Sequence, residues 1–158
     1  MKFKVVIIGD SGVGKTAFVS SFFNSDLQNT VPTIGVNVHS IQFNTNQGPI
    51  QIDFWDCAGK EELGGLRDGY WIDAHFAFIF CDYTKISSRS NLSLWSTAFK
   101  RVNPGSPIFF IGNKSETNHP QFTPQGLISI SVKNRSNISS LIIHALRKVI
   151  RDPTLELI

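Results

Sequence analysis

The 158 residues are 41% hydrophobic and 17% charged, which suits one globular domain with one core. A net charge of +3 with no run of Lys or Arg argues against a nucleic-acid surface, and two cysteines are too few for a disulfide framework, so a reducing compartment is expected. No apolar run is long enough to span a membrane, Met1 to Ile8 is too short for a signal peptide, and neither end carries a lipidation motif, so no membrane anchor is expected.

The segments alternate in type along the chain. Phe3 to Ile8 is a short run rich in Val and Ile and reads as a buried strand. A glycine-rich turn follows, and then a helix over Ala17 to Phe23. Val36 to Phe43 and Ile50 to Trp55 are strand-like, and Asn44 to Pro49 between them is dense in turn residues, which predicts a hairpin. Phe76 to Cys81 and Ile108 to Ile111 are two further buried-strand runs, with a helix between them around Asn91 to Arg101. The last helix is the clearest. Ile138, Leu141, Ile142, Ala145, Leu146, Val149 and Ile150 recur at helical spacing, Asn137 stands ready to cap the start, and Pro153 follows the end. Alternating strands and helices predict an α/β fold: a mainly parallel six-stranded sheet, helices on both faces and one β-hairpin at the edge. Ligands bind such sheets at the carboxyl ends of the strands.

Gly9-Asp-Ser-Gly-Val-Gly-Lys-Thr16 fits the spacing G-x-x-x-x-G-K-[ST] and sits at such an end. A polyphosphate carries several negative charges and must be wrapped closely by backbone N–H groups. Glycines keep side chains out of the way, and the next helix turns its N-terminus to the anion. Lys15 supplies a positive charge, and the Thr16 hydroxyl is suited to Mg²⁺. Ser11, Gly12, Val13, Gly14, Lys15, Thr16 and Ala17 are therefore the candidate phosphate-contacting residues. The four histidines (His39, His75, His119 and His144) have no metal-ligand spacing, and Trp55, Trp71 and Trp95 read as packing groups.

Further motifs follow in order. They are Thr33 to His39, Trp55-Asp-Cys-Ala-Gly59, Gly64 to Tyr70, Asn113-Lys114, Ser131-Val-Lys133 and Arg147 to Leu157. Together with the hairpin turn they resemble the Ras-like small GTPases, and among these the Ran nuclear-transport family, over nearly the whole chain. The resemblance implies a P-loop NTPase fold, one GTPase domain over 1–158, and a molecular switch that binds GTP or GDP with Mg²⁺. Thr16, Thr33 and Asp56 would hold the metal. The Gly59 N–H would sense the γ-phosphate, and Asn113, Lys114, Glu116, Ser131, Val132 and Lys133 would surround the guanine base. Protein effectors and regulators would read the loops around Thr33 and Gly59–Tyr70, and nuclear transport factors and a location in cytoplasm and nucleus follow by the same resemblance.

Several positions depart from that family. Lys60 replaces the glutamine that orients water; with three donors and no acceptor it predicts slow hydrolysis. Glu116 replaces an aspartate, which predicts weaker or relaxed guanine selectivity. Val132 replaces an alanine, though its N–H can still reach the base. Asn24 to Val31 has no aromatic, leaving Leu27 as the nearest apolar substitute. The interval from Asn113 to Ser131 contains Pro120, Pro124 and Gly126, so a long helix is not expected there. The basic cluster of Ran in that interval and its acidic tail are also missing, which counts against transport-receptor binding. A pseudo-GTPase interaction module without useful turnover is the alternative.

Overall fold

The computed structural model describes residues 1–23, 36–57, 64–114 and 126–158, the side chains of 64–67 excepted. Six strands form one sheet: β1 (Lys2–Gly9), β2 (Val36–Thr45), β3 (Gly48–Cys57), β4 (Phe76–Asp82), β5 (Ile108–Asn113) and β6 (Leu127–Ser129), in the order β2-β3-β1-β4-β5-β6. Every neighbouring pair is parallel except the β2–β3 hairpin at one edge. The expected mixed architecture is present, with its hairpin at the edge.

Helices are α1 (Lys15–Ser20), α2 (Gly64–Trp71), α3 (Ile86–Ser90), α4 (Leu92–Val102) and α5 (Ile138–Ile150). The strand pleat sends alternate side chains to opposite faces. Val5, Ile7, Phe54, Phe78, Phe80 and Ile111 pack with Phe18 of α1 and with Leu141, Ile142, Ala145 and Leu146 of α5. Val6, Ile8, Ala77 and Ile79 pack on the other face with Trp71 of α2 and with Trp95 and Phe99 of α4. β4 is buried along its whole length, as a central strand covered on both sides must be.

Some expectations need correction. The hairpin turn is shorter than 44–49: Thr45 still pairs with Gly48, so only Asn46 and Gln47 turn. The first helix begins at Lys15 rather than Ala17, and its end tightens into a 3-10 turn over Ser21–Phe23. Gly64 to Tyr70, expected as part of a loop that partners read, forms most of α2. Its low glycine propensity is outweighed by tertiary anchoring. Trp71 is fully buried against Trp95 and Phe99, with ring centroids 6.4 and 6.1 Å away, and its carbonyl accepts Asn103 Nδ2 at 2.7 Å. α3 and β6 were not anticipated, each being shorter than a periodic signal needs. Asn137 occupies the position before α5, but its side chain does not cap the helix. It has φ 63° and donates to the Ser129 carbonyl instead.

Candidate nucleotide site

The polar groups singled out by the motifs converge beyond the carboxyl ends of β1, β3 and β5. β1 ends at Gly9, whose φ is 149°, and an added Cβ would collide with the Phe80 carbonyl oxygen. The loop then leads to Gly14, with φ 100°. A side chain there would meet the Asn113 amide. These are close approaches that only glycine permits. Ser11 and Gly12 are exposed, Val13 is buried in the core, and Thr16 and Ala17 are half-buried.

Lys15 is buried, and among the described residues no carboxylate lies within hydrogen-bonding contact of its ammonium. Nζ donates to the carbonyls of Gly9 and Asp10, both at 2.8 Å. Burial lowers its pKa from 10.5 to about 8, with the nearby Asp56, Cys57 and Asp10 pulling the other way. A buried cation resting on carbonyls gains strongly when an anion replaces them.

Thr16 Oγ1 donates to Asp56 Oδ2 at 2.6 Å, and Asp56 is fully buried. The two residues are far apart in sequence. The parallel β1–β3 register, with Ile7 opposite Asp56, brings them together. A hydroxyl and a carboxylate side by side are hard oxygen donors of the kind Mg²⁺ takes, so the pair fits that ion.

Asn113 joins three segments. Its Nδ2 donates to the Val13 carbonyl at 3.0 Å, and its Oδ1 accepts the Val132 N–H at 3.2 Å. The Val132 N–H, expected to face a base, is therefore engaged by Asn113. Lys114, with φ 62°, pairs with Asp82 Oδ2 at 2.7 Å and reaches the Gly12 carbonyl at 3.3 Å. Burial alone would raise the Asp82 pKa, but hydrogen bonds from Lys114 and Thr84 hold it below the usual carboxylate range. Ser131 is buried, and its Oγ accepts the Asn134 N–H at 3.1 Å. Lys133 is exposed.

Sequence reasoning missed two contributors. Tyr83 packs its ring against Gly112 and shares a 2.6 Å hydrogen bond with Ser129. Asp10 turns its carboxylate to α4. Tyr83 belongs to no motif, and Asp10 fills a position of the loop pattern where any residue is allowed, so no local signal marks either. Thr33, Gly59, Lys60 and Glu116 lie outside the described residues, as do Leu27 and the segment with Pro120 and Pro124.

A family model described as "Ras of Complex, Roc, domain of DAPkinase" matches residues 4–116, well over half of the chain. The match begins in β1 and ends just past Asn113 and Lys114, so it takes in the phosphate loop, Asp56 and the start of the base motif.

Proposed function

Because the chain belongs to the Roc family of Ras-like GTP-binding domains, we propose that it is a guanine-nucleotide switch with slow turnover, formed as one domain over residues 1–158. What supports this most is the pairing of Thr16 with Asp56 at 2.6 Å beside the buried Lys15. In this reading Lys15 leaves the Gly9 and Asp10 carbonyls for the outer phosphates of GTP or GDP. Thr16 and Asp56, joined by Thr33, would hold Mg²⁺, which neutralises phosphate charge. Asn113 keeps the loop and the Ser131–Lys133 segment in register around the base. Glu116 would accept the guanine hydrogen bonds.

Lys60 stands where the family resemblance calls for glutamine. An ammonium cannot accept a proton from water, so hydrolysis is slow and the GTP state is long-lived. Loss of the γ-phosphate frees the Thr33 loop and the segment from Gly59 to Tyr70, and protein effectors read that change. The motifs at Thr33–His39, Gly64–Tyr70 and Arg147–Leu157 extend the proposal to a Ran-like role in nucleocytoplasmic transport, with residence in cytoplasm and nucleus, but without the transport-receptor contact that the basic cluster of Ran between Asn113 and Ser131 would supply.

The deciding experiment denatures the purified protein and identifies the released nucleotide by ion-pair chromatography. Mostly GTP is the expected result. Mostly GDP would show that Lys60 does not impair turnover. No nucleotide, and none taken up from added GTP and Mg²⁺, would favour the pseudo-GTPase module. For the role of Lys60 itself, single-turnover hydrolysis should rise in Lys60→Gln.

A further inference from the structure

Asp10 holds the second position of the phosphate loop, where its negative charge stands close to any bound polyphosphate. The carboxylate is turned away from the loop. Oδ1 accepts the Trp95 indole N–H at 2.9 Å, and Oδ2 accepts Asn91 Nδ2 at 2.9 Å. Both donors come from the start of α4: Asn91 is the residue just before the helix, and its carbonyl accepts the Trp95 N–H at 3.1 Å. That end of α4 is firmly held. Trp95 is only 4% exposed and packs edge-on against Trp71. Meanwhile the Asp10 backbone carbonyl accepts Lys15 Nζ at 2.8 Å. One residue thus joins a rigid helix to the amine that meets the ligand.

We propose that Asp10 is a positioning residue: its carboxylate, clasped by Asn91 and Trp95, fixes the first turn of the phosphate loop and the resting place of Lys15, and so sets how long a nucleotide is held. This rests on the guanine-nucleotide reading. Two physical effects of Asp10 have opposite signs. As a bare negative charge near phosphates it weakens binding, and its removal slows release. As the anchor of the loop it preorganises the site, and its removal speeds release.

The test measures release of a fluorescent-labelled GDP, excited directly at its label, from the full chain and from Asp10→Ala, Asn91→Ala and Trp95→Phe. Trp95→Phe keeps a buried ring but loses the N–H donor together with part of the ring's volume, so its melting temperature is read beside its release rate. A hydrogen bond to a charged group is worth enough to speed release about tenfold in each single variant. Asp10→Ala combined with Trp95→Phe should be no faster than Asp10→Ala alone, since both break one interaction. Slower release from Asp10→Ala, or additive effects in the double variant, would overturn the clasp. So would lower melting temperatures with release rates unchanged, the mark of a purely structural contact. If the unaltered protein takes up no labelled GDP, the nucleotide reading fails and the clasp with it; uptake with unaltered rates in every variant overturns the clasp alone.

Discussion

The two ends of the sheet use polar groups in different ways. Beyond the carboxyl ends of β1, β3 and β5, the polar side chains make individual contacts: Lys15 rests on two backbone carbonyls and Thr16 on Asp56. At the hairpin turn, polar groups are closed by the chain itself. The Asn46 N–H donates to the Glu156 carbonyl and the Ile158 N–H to the Asn44 carbonyl, both at 3.0 Å. Asn46 Oδ1 accepts the Glu156 N–H, and its Nδ2 donates to the Thr154 carbonyl. Leu155 is fully buried beneath this strap, and Arg147 Nε donates to its carbonyl at 2.7 Å. Backbone pairs of this kind leave nothing for a ligand to replace. The comparison teaches that a site differs from a structural network in how readily its partners can be exchanged.

The largest effect expected is on the closed end. Leu155→Ala should cost about 3 kcal/mol of stability through the buried volume lost, while GDP affinity stays within about twofold. Calorimetric melting and a binding titration check both halves. A large affinity loss would erase the contrast between the ends. Next comes Lys15→Met, which should weaken GDP about 100-fold by removing charge-assisted hydrogen bonds. The ligand-free fold should melt no lower, because a costly buried cation is gone. A drop in melting temperature would mark Lys15 as structural.

Asn46→Ala should cost about 1 kcal/mol, the net worth of a pair of exposed hydrogen bonds, with nucleotide release unaltered in a labelled-GDP chase. The smallest effect concerns His144, whose ring packs edge-on against Phe109. Burial lowers its pKa from 6.5, and Lys148 and Arg147 lower it further. The unfolded chain therefore binds the proton more readily. Stability is full above pH 6.5 and declines as pH falls below it. Melting followed from about pH 7.5 to 5.5 should show this slope flattened in His144→Gln. An unaltered slope would place the titration elsewhere.

Local pattern exposed three elements well. α5 declares itself by seven apolar residues at helical spacing, β1 by the run from Val5 to Ile8 and β4 by the run from Phe76 to Cys81. The phosphate loop was legible because its spacing is local. α2 was not, since Trp71 becomes an anchor only once Trp95 and Phe99 lie beside it. The strap from Asp152 to Ile158 was equally hidden, because Asn46 and Glu156 meet across 110 positions.

What the sequence alone determined is therefore the order of β1 to β5 with α1, α4 and α5, and the chemistry available at Gly9–Thr16, Asp56 and Asn113. Periodicity and turn residues act over a few neighbours, and that range is enough for them. Tertiary structure decided which of those groups meet. The parallel register of β1 and β3 sets Thr16 against Asp56, and the packing of α4 sets Trp95 and Asn91 against Asp10. Such contacts arise between segments tens of residues apart, where burial of the core, rather than any local preference, fixes the geometry.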